Sequence, residues 1–270
     1  MNDLAEFRAT RARQIDALGH NPALAELSAA WMLRASQSGY SYHFDALGLP
    51  IIQFPQDVVA MQELLWRLRP DLVIETGVAR GGSVVMHAAQ LALLDYADAV
   101  AGGQLLDPSH PRRRVLGIDV EIRAHNRAAI EGHPMAARIE LLEGSSVDPA
   151  IVAHARRRAE SAERVLVCLD SNHTHAHVRA ELEAYAPLVT PGSYLVVFDT
   201  IVEQLPKSLY PDRPWGPGDN PATALAEFLR DHTEFEVDHS IDHKLQLSVA
   251  PGGYLRRIAA QPAASGSGRS

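Results

Sequence analysis

Hydrophobic positions change period twice along this chain, and the changes divide it into regions. From residue 2 to 37 they recur at three- and four-residue spacing (Leu4, Phe7, Ile15, Leu18, then Leu24, Leu27, Trp31), which predicts two helices broken near Asn21-Pro22. A polar and aromatic link, SGYSYHFDALGLP, leads to a third amphipathic helix, QDVVAMQELLWRLRP, which Pro70 ends. From Asp71 short apolar runs (DLVIE, RVLGID, ARIELLEG, RVLVCLD, GSYLVVFD) alternate with helical segments at 82–96, 123–131, 148–161 and 174–186, while 99–113 reads as an inserted surface loop. That alternation predicts a mostly parallel sheet covered by helices on both faces, with acidic residues at its carboxyl edge, where such sheets bind ligands. A Pro- and Gly-rich crossing, EQLPKSLYPDRPWGPGDNP, precedes the helix ATALAEFLRDH, and two more runs, FEVDHS and KLQLSVA, predict a closing antiparallel hairpin. The expected organisation is an N-terminal helical extension and link over 1–49, an α/β Rossmann-like domain over 50–258, and a low-complexity, disordered tail over 259–270.

Composition narrows the partners. With 270 residues, 46% of them hydrophobic, the chain can bury the core of one or two domains. A net charge of −8 without a long basic run argues against a nucleic-acid backbone or an anionic membrane and in favour of a small molecule. The single cysteine, Cys168, lies inside an apolar run, so a disulfide within the chain is excluded and a buried packing thiol is expected. The N-terminal stretch is polar and mixed in charge, and no run approaches about 18 consecutive apolar residues, which predicts a cytoplasmic location.

The chemistry gathers at the strand ends. In VIETGVARGGSVVMHA an apolar strand runs into Glu75, Thr76 and Gly77, then Arg80, Gly81, Gly82 and Ser83 open a helix. The glycine spacing does not match the G-x-G-x-x-G fingerprint of a dinucleotide site, and an acid at the strand tip repels a pyrophosphate. It suits S-adenosylmethionine, whose ammonium and sulfonium are positive, with Asp119 at the tip of the next strand accepting from the ribose hydroxyls. The competing reading is a tight strand-to-helix turn with Asp119 capping the following helix. In EGSSVDP, Ser145 and Ser146 either bond the adenine edge or Ser146 caps the helix near Asp148-Pro149. Asp170 and Asp199 end neighbouring strands and can converge on Mg²⁺, or each can cap a turn. His173, His175 and His177 precede a helical pattern in which residues two apart face different ways, which argues against a zinc cluster. His173, nearest the strand tip, is the candidate general base, against the reading of a helix-start histidine with no catalytic role.

The segments IIQFPQDVVAMQELLWRLRPDLVIETGVARGGS, LDSNHTHAHV, LEAYAPLVTPGSYLVVFDT, RPWGPGDNP and HKLQLSVAPGGYLRR together resemble the cephalosporin-hydroxylase-like family, which includes rhamnosyl O-methyltransferases, over about residues 40 to 257. The resemblance implies a Class I methyltransferase fold, S-adenosylmethionine and Mg²⁺ as cofactors, the methionine end held at Glu75, Thr76 and Gly77, the ribose at Asp119, and the metal at Asp170 and Asp199. One departure matters: relatives with a well-defined metal site resemble V-E-D-T at the fifth strand, and this chain has Phe198 before Asp199, so the metal is expected to be weaker, completed by water or substrate, or absent, unless Asn172 or His173 substitutes. The expected activity is O-methylation of a hydroxyl on a sugar or sugar-bearing natural product by Asp170 and His173, in a homo-oligomer. Tyr40, Tyr42, His43, Trp215 and Asn220 are candidates for holding the acceptor, although packing and turn roles explain them equally well. The rival readings are an NAD(P)-dependent sugar oxidoreductase or epimerase and a non-catalytic protein of the same fold.

Overall fold

The structure is a computed structural model that describes residues 3–258, so the expected tail at 259–270 lies outside the described residues. Helices α1 (Asp3–Gly19) and α2 (Pro22–Gln37) form where the three- and four-residue spacing predicts them. Asn21 separates them, its side chain accepting from Leu24 N–H at 3.2 Å while Pro22 occupies the first turn. The link contains a hairpin that its polar and aromatic composition concealed: β1 (Phe44–Ala46) and β2 (Leu49–Ile51) pair through a two-residue turn with Leu47 and Gly48 both at positive φ. Helix α3 (Pro55–Leu68) then packs on the main sheet.

Alternating elements follow: β3 (Leu72–Thr76), α4 (Gly82–Gly102), β4 (Arg114–Asp119), α5 (Ala124–Glu131), β5 (Ile139–Glu143), α6 (Pro149–Glu160), β6 (Val165–Leu169), α7 (His175–Tyr185), β7 (Tyr194–Val197), α8 (Pro221–Asp231), β8 (Phe235–Val237), α9 (His239–Leu245) and β9 (Tyr254–Arg257). The seven strands run in the order β5-β4-β3-β6-β7-β9-β8, parallel except for β9, which is antiparallel to both neighbours. Within β3 the side chains alternate between two cores, Val73 facing α3 and α4 and Ile74 facing the layer of α6, α7 and α8. Strand order reverses between β3 and β6, which opens a crevice at their carboxyl ends.

Two expectations need correction. Helix α4 runs on to Gly102, six residues past its expected end, because Asp95 and Asp98 near its end are tied to Arg113, and Asp95 also to Arg138. Its length and composition would suit a membrane span, but Val84, Val85, Leu91 and Leu94 are buried against the sheet. The closing hairpin exists, yet its second strand is β9 rather than KLQLSVA. Asp238 caps α9 through Ser240 N–H, and the backbone after it is claimed by Asp57, which accepts from Val249 N–H at 2.9 Å. Cys168 is fully buried in β6, as expected, and burial pushes its thiol pKa up.

Candidate active site

The crevice is a cleft of about 340 Å³ between the loops after β3, β6 and β7, with α2 and the 200–216 crossing as walls. Two parallel strands place their loops in contact here: Gly77, at φ 92°, lies so close to the chain after β6 that a Cβ would sit 1.9 Å from the Asp170 carbonyl oxygen. Only glycine fits that approach. Gly81, also left-handed at φ 90°, opens α4 and rests on Ile130.

Asp170, His173 and Asp199 converge in this cleft, with ligating atoms all within 4.8 Å of one another. Asp199 is held in the left-handed region at φ 56°, an unusual conformation for a residue with a side chain, directly after β7. His173 is delivered by a turn in which Asn172 Oδ1 accepts from Thr174 N–H and Oγ1. Its Nε2 lies 3.1 Å from Asp199 Oδ2 and 3.6 Å from Asp170 Oδ1, while its Nδ1 is buried without a hydrogen-bond partner. Burial disfavours the charged ring, but Asp199 and Asp170 outweigh that and push its pKa up to about 9. Burial also pushes Asp170 up, with His173 opposing and Asp199 adding to the effect. Asn172 is exposed and spent on its turn, so His173 is the side chain that joins the carboxylates. His175 instead meets Thr223 and Glu227, and His177 meets Ser146 and Ser171, so the three histidines do not assemble.

The remaining expected residues separate into lining and supporting ones. Arg80 is exposed on the rim and lines the cleft with Gly77, Gly81 and Ser83. Glu75 is 1% exposed and turned away from open solvent, accepting from Ser83 Oγ and lying 2.9 Å from His87 Nδ1. Thr76 is buried and its hydroxyl has no hydrogen-bond partner. Asp119 Oδ2 accepts from Val78 N–H at 2.9 Å and Ala79 N–H at 3.0 Å, and Oδ1 from Glu121 N–H at 3.3 Å. It therefore shapes the glycine loop, and it is not the cap of α5, which begins after Arg123. Ser146 does not cap α6 either: Asp148 does, and Ser146 Oγ is buried 3.0 Å from His177 Nε2, leaving Ser145 the more open of the pair.

Of the acceptor candidates, Tyr42 and Trp215 line the cleft, and the Trp215 ring lies 5.2 Å from that of His173. Tyr40 belongs to an aromatic cluster with Trp31, Phe44 and Phe54, and His43 is exposed. Asn220 is fully buried as the cap of α8, with its capping box satisfied, so it is a turn residue. Gln53 was not legible in the sequence. It is buried beside the cleft, its Nε2 donating to Asp170 Oδ2 at 2.9 Å and its Oε1 lacking any partner. A glutamine between two apolar runs carries no signature; only the fold brings it to Asp170.

Residues 38–258 match the family model described as rhamnosyl O-methyltransferase/CmcI. The chain belongs to this family. A rhamnosyl O-methyltransferase of Mycobacterium tuberculosis (strain ATCC 25618 / H37Rv) is 30% identical over 216 residues, covering 78% of this chain and 77% of that protein. The Mycobacterium leprae (strain TN) protein of the same name is 29% identical over 213 residues, covering 78% and 82%. Among solved structures, one described as cmcI-D160 Mg-SAM superposes with a TM-score of 0.54 at 20% identity, over 81% of this chain and 78% of that one, which supports the Rossmann-like architecture.

Proposed function

We propose that this protein transfers the methyl group of S-adenosylmethionine to a hydroxyl of a sugar or sugar-bearing natural product. The observation that carries the reading is the convergence of Asp170, His173 and Asp199 on the cleft beside Gly77, in a member of the rhamnosyl O-methyltransferase/CmcI family. S-adenosylmethionine, when bound, supplies an electrophilic methyl on sulfur. The glycine loop fits such a guest, because Gly77, Gly81 and Gly82 line the cleft with backbone alone, and the missing side chain at Gly77 lets the loop after β3 close onto Asp170. Asp119 already accepts three N–H bonds, so it has room for about one further strong bond, to one ribose hydroxyl, and Ser145, the more open serine after β5, is the candidate for the adenine edge.

Two carboxylates and an imidazole also fit a divalent cation, which Asp170 and Asp199 would hold with His173; when bound it supplies Lewis acidity to an acceptor oxygen. The chain's own groups account for the proton. Near neutral pH His173 carries one, held by Asp199, and Asp170 Oδ1, whose pKa burial pushes up to about 8 while Gln53 fixes Oδ2, becomes the base once it has given up its own proton as pH rises. Trp215 and Tyr42 offer aromatic faces to a sugar ring. Homo-oligomerisation and a cytoplasmic location belong to the same reading; the exposed Phe7 and Leu27 of the N-terminal helices support the first.

The test is transfer of labelled methyl from S-adenosylmethionine to a panel of rhamnosides and other glycosides, with and without EDTA, alongside calorimetry with S-adenosylhomocysteine and NAD⁺. The expected result is a methyl ether formed by wild type and lost in Asp170→Asn. Binding of NAD⁺ without binding of S-adenosylhomocysteine would overturn the reading.

A further inference from the structure

Helix α1 has 17 residues and no buried side chain, yet it lies along α9, more than two hundred residues later in the chain. Burial of apolar surface therefore contributes little to holding it there. At the contact, Asp16 of α1 and His20, in the turn directly after it, meet His243 of α9, and one ligating atom from each lies within 4.8 Å of the others. Asp16 and His20 are one turn apart and share a face. His20 Nδ1 is 2.8 Å from the Asp16 carbonyl oxygen, which can only accept, so Nδ1 carries the proton and Nε2 is left bare. A backbone carbonyl fixing the tautomer in this way is the usual support of a metal-binding imidazole.

The position of His243 is also specified. Its ring rests on Gly19, where a Cβ would lie 2.0 Å from its Cγ, and it meets the His20 ring edge-on at 5.3 Å. Any side chain at residue 19 would push the imidazole off α1. Two imidazoles and one carboxylate suit a borderline ion with a tetrahedral preference rather than a hard one, the fourth position going to water. Ligands on such an ion stand roughly 3.4 Å apart, and the Asp16 carboxylate, at 73% exposed, can close the gap by rotation while the His20 ring stays on its carbonyl.

We propose that Asp16, His20 and His243 form a second metal site, for Zn²⁺ or a similar ion, that clips the N-terminal helix to the methyltransferase domain. It is separate from the cleft and does not depend on the methyl-transfer reading. The test uses the full, metal-stripped chain in excess Mg²⁺, titrated with Zn²⁺ by calorimetry and with Co²⁺ by visible absorption. His173→Ala removes any zinc taken by the cleft and should leave one equivalent bound. That equivalent should be lost in His20→Ala and in His243→Ala, and weakened in Gly19→Ala. Amide exchange over 3–19 should slow on adding Zn²⁺ to the wild type and not to His20→Ala. Equal zinc stoichiometry in wild type, His20→Ala and His243→Ala, or exchange over 3–19 that ignores Zn²⁺, would overturn the proposal. The substituted side chains are at the surface, and a circular dichroism spectrum matching the wild type confirms that each variant is folded.

Discussion

Replacing Asp57 with asparagine should remove a pH dependence that a buried carboxylate imposes on stability. Asp57 sits in the first turn of α3, 1% exposed, and ties that helix to the segment before β9. Its Oδ1 accepts from Ser248 Oγ at 2.6 Å and Tyr254 Oη at 2.8 Å, and its Oδ2 from Val249 N–H at 2.9 Å. Burial raises its pKa, the three hydrogen bonds offset only part of that, and the result is about 6 instead of 3.8. The folded protein thus holds this proton more tightly than the unfolded chain does. The associated stability is complete below the unfolded pKa near 4 and is lost as pH rises through about 6. A shift of that size at 1.36 kcal/mol per pH unit is worth about 3 kcal/mol.

Asparagine preserves the contacts without the titration: its carbonyl accepts from Val249 N–H, and its amide donates to the two hydroxyls. Urea unfolding of both proteins at a series of pH values isolates the effect, because every other titrating group cancels in the difference. Relative to wild type, Asp57→Asn should gain about 3 kcal/mol between roughly pH 4 and pH 7. A difference that stays flat across that range would show that Asp57 does not carry a raised pKa and would refute the reasoning.

Gln53→Ala should let Asp170 rotate and weaken binding of Mn²⁺, read by electron paramagnetic resonance, by roughly 1 kcal/mol or fivefold, without lowering the urea midpoint much; unchanged Mn²⁺ affinity counts against a positioning role. Asp95→Ala strands the buried Arg113 and Arg138 and should destabilise the fold by about 3–5 kcal/mol in urea; a loss under about 1 kcal/mol would mean that water or Asp98 replaces it. Phe198→Glu should also destabilise by several kcal/mol, since the ring packs edge-on against Tyr254 in the core; an unchanged midpoint would mean that the new side chain escapes to the cleft.

The central strands, the helices between them and the acids at the carboxyl edge were legible because each depends on local period or on a strand tip. Where the reading missed, long-range partners had overridden local pattern. KLQLSVA alternates like a strand, but Asp57, nearly two hundred residues earlier, binds its backbone, and Asp238 starts a helix ahead of it. The hairpin in the link was hidden by short strands whose turn needs Leu47 in a left-handed conformation that leucine rarely adopts. Asn220 carried a polar side chain of the right kind for recognition, and only burial shows that its bonds are spent on α8.

With Phe198 rather than an acid before Asp199, the ion that the cleft would take depends on the groups that remain. Phe198 is committed to the core, so the third group beside Asp170 and Asp199 comes from the turn after β6, as an imidazole. Three carboxylates would present a formal charge of −3; two carboxylates with a neutral histidine present −2, and with the ring protonated −1. A hard cation must therefore enter a weaker field and displace a proton that Asp199 holds firmly on His173. Imidazole nitrogen favours later divalent ions over Mg²⁺. On this reading Mn²⁺ or Co²⁺ should restore an EDTA-treated enzyme at lower concentration than Mg²⁺, and the advantage should shrink in His173→Gln, which returns an oxygen ligand. Equal half-saturation by Mg²⁺ and Mn²⁺ in wild type would place His173 outside the coordination sphere and leave it as a group that moves protons.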